Sequence, residues 1–258
     1  MGYSVKDRII LITGASAGIG EATARTFAEA GGKLILTARR KEKLEKLANE
    51  LKEQFGTPSY TASLDVRDNA AVENFVRTLP DAWSAIDILV NNAGLGRGLD
   101  KLHEGKIADW EEMIDTNVKG LLYVSRAVIP GMVARGRGHI FNLGSIAGHE
   151  TYPGGNVYCA TKHAARAINN GMRIDLVDTP VRVTTIDPGL VETEFSVVRF
   201  RGDAQRAKKP YEGIAPLRGE DIADLILFAA TRPTHVNINE MIVMPKAQAT
   251  STLVHRKV

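Results

Sequence analysis

One cysteine in 258 residues, Cys159, excludes any disulfide within the chain, and the expectation is a packed, unreactive thiol in a reducing compartment. Aromatic residues are sparse at 6%, and no stretch nears the roughly 20 apolar residues that a membrane-spanning helix needs. A surplus of one charge is missing too. Thirty-three basic against thirty acidic side chains leave +3, too little and too scattered to draw in a nucleic acid. The apolar run Ile9 to Ile12 is too short for a secretion signal and passes straight into a glycine turn. Met1-Gly2 is followed at position 6 by Lys6, where an acylation signal needs Ser or Thr. These absences give the expectation of a soluble cytoplasmic protein, with no membrane or nucleic acid as partner. Without repeats or low-complexity linkers, residues 1–258 read as one domain, a size that α/β folds reach without splitting.

What is present is an alternation of short β-branched runs with longer amphipathic segments. Arg8 to Ile12, Lys33 to Thr37, Ser59 to Leu64, Ile86 to Val90, His139 to Leu143, Val181 to Ile186 and Glu240 to Met244 have the composition of strands. Ile19 to Ala30, Arg40 to Gln54, Asn69 to Leu79, Trp110 to Ala134, Val157 to Val177 and Glu220 to Ala230 have the spacing of helices. Such alternation predicts an α/β, doubly wound Rossmann fold: a seven-stranded parallel sheet with helices on both faces and a ligand crevice at the carboxyl ends of the strands. Residues 193–216 form the one long stretch without a strand and are expected to make a mobile flap over that crevice. Residues 245–258 form a polar tail whose Leu253 and Val254 suit docking onto another subunit.

Between the first strand and the first helix stands Thr13-Gly14-Ala15-Ser16-Ala17-Gly18-Ile19-Gly20. Gly14, Gly18 and Gly20 let the backbone turn tightly and approach a pyrophosphate, which the N–H groups of the following helix can hold. The second strand ends Thr37-Ala38-Arg39-Arg40. An NAD site places an acid there for the ribose 2′-hydroxyl; here Ala38 replaces it, and Arg39 and Arg40, with the Ser16 hydroxyl, fit a 2′-phosphate. NADP is therefore the expected cofactor, and no metal is expected.

Tyr158 and Lys162 lie four residues apart in a helical segment, on one face, so the ammonium is expected to stabilise the ionised phenol. An ordinary phenol, with a pKa near ~10, is a poor proton carrier at neutral pH without such help.

With these residues the chain resembles the short-chain dehydrogenase/reductase family over nearly its full length. The likeness extends to Asp65-Val66, Asn91-Asn92-Ala93-Gly94, Asn117 in Asp115-Thr116-Asn117-Val118, Ser145 in Asn142-Leu143-Gly144-Ser145, and Pro188-Gly189-Leu190-Val191-Glu192-Thr193. The resemblance implies a catalytic set of Asn117, Ser145, Tyr158 and Lys162. Ser145 would bind the substrate oxygen, Tyr158 would move its proton, Lys162 would also hold the nicotinamide ribose, and Asn117 would hold a relay water. Cofactor contacts would come from Gly14, Ser16, Gly18, Ile19, Gly20, Arg39, Arg40, Asp65, Val66, Asn91, Ala93, Gly94, Tyr158, Lys162, Pro188, Gly189, Val191 and Thr193. Asp65-Val66 would touch the adenine, Asn91 would sit near the adenosine ribose and steady the sheet, and the Pro188 motif would cup the nicotinamide. A homotetramer built on the helices at Trp110 to Ala134 and Val157 to Val177 is also implied.

Within the family the chain is similar to the NADP-dependent 3-hydroxy acid dehydrogenases, the group with serine 3-dehydrogenases and L-allo-threonine dehydrogenase. The residues that carry this are 142–148, 188–196, 198–203 and 235–239, which include the flap. The similarity implies a hydroxy acid as substrate, whose carboxylate would need a cation, for which Arg199 and Arg201 are the nearest candidates, with Tyr152 as a neutral donor. A broad-range NADPH carbonyl reductase with Phe195, Phe200 and Leu190 lining an apolar pocket is the alternative. A cofactor-sensing protein without chemistry is the other. One departure is Asn169-Asn170-Gly171 inside the Tyr158 helix, where relatives carry better helix formers; the glycine costs about 1 kcal/mol unless close helix packing uses it.

Overall fold

In the strand Ile9–Thr13 (β1), alternate residues go to opposite faces of the sheet, and both faces are covered. Ile10 and Ile12 pack with Leu34, Leu36, Val90 and Phe141 on one side, and Ile9 and Leu11 with Ile35, Leu89, Ile140 and Val183 on the other. Burial on both faces is the reason Ile9 to Ile12 is apolar throughout. The computed structural model describes residues 4–257; Met1, Gly2, Tyr3 and Val258 lie outside the described residues, and with them the reading of Met1-Gly2.

β2 (Lys33–Ala38), β3 (Ser59–Ser63), β4 (Ile88–Asn91), β5 (Gly138–Leu143), β6 (Val181–Pro188) and β7 (Glu240–Val243) complete one seven-stranded sheet in the order β3-β2-β1-β4-β5-β6-β7, every pair parallel. The helices are α1 (Gly18–Glu29), α2 (Lys41–Phe55), α3 (Asn69–Arg77), α4 (Asp81–Ser84), α5 (Ile107–Ile114), α6 (Leu121–Ala134), α7 (Asn156–Asp175), α8 (Glu194–Arg199), α9 (Ala204–Lys208) and α10 (Gly219–Ala230). Phe27, Leu44, Leu51, Ile222 and Ile226 bring α1, α2 and α10 onto the first face; Val72, Val124, Val128 and Met132 bring α3 and α6 onto the second. Among the described residues no helix is long and apolar enough to cross a membrane.

One element differs from expectation. The helix predicted over Trp110 to Ala134 is broken by a π-helical turn, Asp115–Gly120, which buries Thr116, Asn117 and Gly120 together; Gly120 lies so close to Val66 that a methyl there would come within 2.6 Å of its Cγ2. The strand-free segment 193–216 contains two short helices, α8 and α9, each started by a side-chain cap. Thr193 Oγ1 accepts from Phe195 N at 3.2 Å, and Asp203 Oδ1 accepts from Gln205 N and Arg206 N at 3.1 and 3.0 Å. The tail lies along its own chain, with Arg256 donating to Pro210 O at 3.1 Å and Lys257 N to Gly213 O at 2.9 Å, and leaves Leu253 exposed.

Asn169 in α7 has a structural reason. It accepts from Asn142 Nδ2 at 2.9 Å, and Asn142 Oδ1 accepts from Asn91 Nδ2 at 2.9 Å, so three buried amides tie α7 to β5 and β4. A Cβ on Gly171 would meet nothing within 4 Å, and nothing in this chain explains that glycine.

Candidate active site

The strand order reverses between β1 and β4, and there the carboxyl ends of β1, β2, β4, β5 and β6 open onto a cleft of about 590 Å³. Gly14 turns the chain out of β1 with φ of +66°, a conformation that disfavours a side chain, and its neighbour across the turn is Asn92. Asn92 Nδ2 donates to Thr13 O and Gly14 O at 2.9 and 3.2 Å, while Thr13 Oγ1 accepts from Asn92 N and Ala93 N, both at 3.0 Å. Thr13 and Asn92 thus lock the glycine turn to the turn after β4. α1 is preceded by Ala17, whose side chain cannot cap it, so no side chain takes the first-turn N–H groups beside the cleft. An uncapped helix end at a glycine turn fits a pyrophosphate.

At the end of β2, Ala38 presents no carboxylate. Arg40 donates to Ser16 Oγ at 3.1 Å and to Glu194 Oε2 at 2.8 Å, and Lys43 reaches Glu194 Oε1 at 2.7 Å. Arg39 lies 3.8 Å from Glu112. Two guanidinium groups and the Ser16 hydroxyl at one corner of the cleft fit the 2′-phosphate of NADP, which would there compete with Glu194 for Arg40. Asp65 lines the same end, and the Arg67 guanidinium beside it holds its carboxyl below the ordinary range.

Across the cleft, Ser145 leaves β5 and Tyr158 and Lys162 rise from α7. Ser145 Oγ accepts from Ala147 N at 3.1 Å, lies 3.5 Å from Pro188 O, and stands near enough to the Tyr158 phenol to favour its ionised form. Lys162 is only 9% exposed; its Nζ donates to Leu143 O at 2.7 Å, and burial lowers its pKa to about 8 against the opposing charge of Asp187. Burial also pushes the Tyr158 phenol up, while Arg199 and Ser145 pull it down. Arg199, whose Cζ lies 4.6 Å from the Tyr158 ring centre, is thus a cation that acts on the phenol, while Lys162 Nζ is turned to the Leu143 carbonyl. Arg199 also lies 4.9 Å from the Phe195 ring centre and donates to Tyr152 OH at 3.1 Å.

The cleft is lined by Gly14, Ser16, Gly18, Ile19, Arg39, Arg40, Asp65, Val66, Ala93, Gly94, Ser145, Tyr158, Lys162, Pro188, Gly189, Val191 and Thr193, as the sequence reading expects. Five expected residues are not brought to it. Asn91 is buried among Ser125 and Asn142, so it steadies the sheet while Asn92 takes the place facing the cleft. Gly20 packs against Gly14 and Asn92 within the turn. The Asn117 carboxamide is fully engaged: Oδ1 accepts from Leu95 N, and Nδ2 donates to Leu95 O and Thr161 Oγ1. Arg201 turns away and pairs with Asp109, and Phe200 is covered by the guanidinium of Arg206. Sequence reasoning missed Tyr211, whose hydroxyl donates to Val191 O at 2.9 Å, and Gln248, whose Oε1 accepts from Leu190 N at 2.8 Å. Both line the cleft, together with Ser251, Thr252, Val254 and Arg256 of the tail.

Gly144, just before Ser145, has no room for a side chain: a methyl there would collide with the Asp187 carboxylate and lie 2.9 Å from Thr185 Oγ1. Gly144→Ala is expected to lower stability by about 3 kcal/mol through overpacking, read as a lower urea midpoint with an unchanged slope. An unchanged midpoint would mean that the carboxylate swings aside freely.

Residues 8–203 match the family model described as short chain dehydrogenase. The chain is 53% identical over 250 residues to "NADP-dependent 3-hydroxy acid dehydrogenase YdfG" of Salmonella typhi, covering 96% of this chain and 99% of that one. It is 48% identical over 244 residues to "Sulfoacetaldehyde reductase 2" of Chromohalobacter salexigens, covering 94% and 96%. Among solved structures it is similar to the closed form of a serine dehydrogenase complexed with NADP+, with a TM-score of 0.90, 50% identity, and coverage of 96% of this chain and 100% of that chain. On the matched glycine turn, sheet order and Tyr158 helix, the chain belongs to the short chain dehydrogenase family.

Proposed function

We propose that this protein is an NADP-dependent oxidoreductase that interconverts a 3-hydroxy acid, such as serine or L-allo-threonine, and the corresponding 3-oxo acid. The observation that carries this reading is one continuous cleft with an uncapped helix end and paired arginines at one side and Ser145, Tyr158 and Arg199 at the other. The relatives named above act on a 3-hydroxy acid, on serine and on sulfoacetaldehyde, all of them bearing an acid group.

Bound NADP supplies the hydride acceptor for the carbinol carbon. In the oxidative direction the ionised Tyr158 takes the hydroxyl proton, and Ser145 donates a hydrogen bond to the same oxygen. Arg199 serves twice. Its charge favours the phenolate, and its guanidinium, set between Tyr152 and Phe195, holds the substrate carboxylate. Lys162 holds the ribose hydroxyls, and the Asn117 carboxamide ties the turn at Leu95 to Thr161 of α7. In reverse, protonated Tyr158 delivers the proton and an aldehyde or ketone is reduced. Residues 193–216 act as the flap and the tail closes its outer edge.

The expected assembly is a homotetramer in the cytoplasm, supported by the exposed apolar side chains Ile114 and Leu122 flanking the π-helical turn and Ile174 and Val177 at the end of α7. Sedimentation as a monomer would exclude it. Mixing the purified protein with NADP and L-allo-threonine is expected to yield reduced cofactor; no reduction with any 3-hydroxy acid would exclude the reaction. Arg40→Ala is expected to raise the NADP dissociation constant about 10- to 100-fold and leave that for NAD within about twofold, since only the 2′-phosphate loses its partner. Equal losses for both cofactors would remove Arg40 from the phosphate site.

A further inference from the structure

His149 and Asp187 stand beside the catalytic loop and do not line the cleft. The loop that carries Ser145 begins at Gly144 and ends at His149, after the single 3₁₀ turn Ile146–Gly148. Asp187, 1% exposed at the end of β6, meets both ends of it. Its carboxylate fills the space beside Gly144, and its Oδ2 accepts from His149 Nε2 at 2.7 Å. Thr185 Oγ1 donates to Oδ1 at 2.7 Å, so the carboxylate is held from two sides. The next residue, Pro188, offers its carbonyl to Ser145, and Asp187 acts on the buried Lys162 ammonium. The other charged groups here are Glu240 on β7, 3.6 Å from His149 Nε2, Arg166 on α7, 2.8 Å from Glu240, and Glu150 next in the chain.

We propose that His149 and Asp187 are a pair of positioning residues, which hold the loop at residues 144–149 so that Ser145 and Tyr158 face one substrate oxygen, with Asp187 as counter-charge to Lys162. This rests on the roles given above to Ser145, Tyr158 and Lys162. Removing the hydrogen bond frees one end of the loop and leaves a buried carboxylate with one partner fewer.

Four variants and three readouts test it. His149→Leu is expected to lower kcat about 10- to 100-fold with NADP affinity within about twofold. It should move the acid limb of kcat to higher pH, because burial already raises Asp187 and the lost hydrogen bond had opposed that rise. His149→Gln, whose amide can donate to the same carboxylate, should restore most of kcat. Asp187→Asn removes the charge that keeps Lys162 protonated, so NADP binding should weaken at a lower pH than in wild type; Asp187→Glu should keep the wild-type limb. Binding is read without turnover, so a wild type inactive on every hydroxy acid would sink the functional reading, while the shift in binding would still decide for or against the pair. A lower melting temperature with kcat and both limbs unchanged would make the pair merely structural and overturn the proposal. So would a melting temperature raised by Mn²⁺ or Zn²⁺ in wild type and not in His149→Leu, which would make His149, Asp187 and Glu240 a metal site.

Discussion

Tyr158→Phe is expected to lower kcat about a thousandfold in both directions while NADP binds as tightly as to wild type. The change deletes one oxygen and keeps the ring. Its contacts with Phe195, at 5.6 Å between ring centres, and with the Arg199 guanidinium, at 4.6 Å, do not involve the hydroxyl, so the cleft keeps its shape. What is lost is the group that exchanges a proton with the substrate oxygen, which Ser145, with a hydroxyl of ordinary basicity, cannot replace. Cofactor fluorescence titration together with steady-state turnover separates the two effects. Turnover at the wild-type rate would remove the tyrosine from the chemistry, and loss of cofactor binding in parallel would make its role structural.

Arg199→Leu is expected to lower kcat/KM for a 3-hydroxy acid about 100-fold, close to the worth of charged hydrogen bonds to one carboxylate in a water-poor site. A second effect comes with it. Arg199 is a cation that opposes the burial-driven rise of the Tyr158 phenol, so without it the phenol loses its proton only at higher pH. Oxidation needs the ionised phenol, and its acid limb should move to higher pH. Reduction of an uncharged ketone needs the protonated phenol and no anion site, and should stay within a few-fold of wild type. Arg199→Lys keeps the charge but not the fork, and should fall between. Equal losses on acids and uncharged ketones would show that Arg199 supports the cleft and does not read the substrate.

The strands could be read in the sequence because a sheet buried on both faces demands apolar runs, as in Ile9 to Ile12 and Ile88 to Val90, and polar residues or glycine follow them. The glycine turn, Ala38-Arg39-Arg40 and the Tyr158 helix were legible for the same reason: their chemistry depends on neighbours in sequence. Other features depend on neighbours in space. Trp110 to Ala134 has a helical pattern that does not mark the π turn within it, which brings Gly120 against Val66. Arg199 and Arg201 look equivalent on paper. α8 ends at Arg199, and Arg201 then takes φ of +53°, which sends its side chain to Asp109 and away from the cleft. Tyr211, Gln248 and the tail reach the cleft only through contacts with Val191, Leu190 and the 193–216 segment, and no local pattern marks them. Asn91 and Asn92, adjacent in a strand end, face opposite ways, and only pairing with Asn142 shows which one lies inside.

The measurement that bears most directly on the account is a comparison of kcat/KM for L-allo-threonine and serine with that for an uncharged ketoester, each run with NADP(H) and with NAD(H). The hydroxy acids with NADP should have the highest values, with NAD far behind for every substrate. Turnover of the ketoester alone, or equal use of NAD, would contradict it.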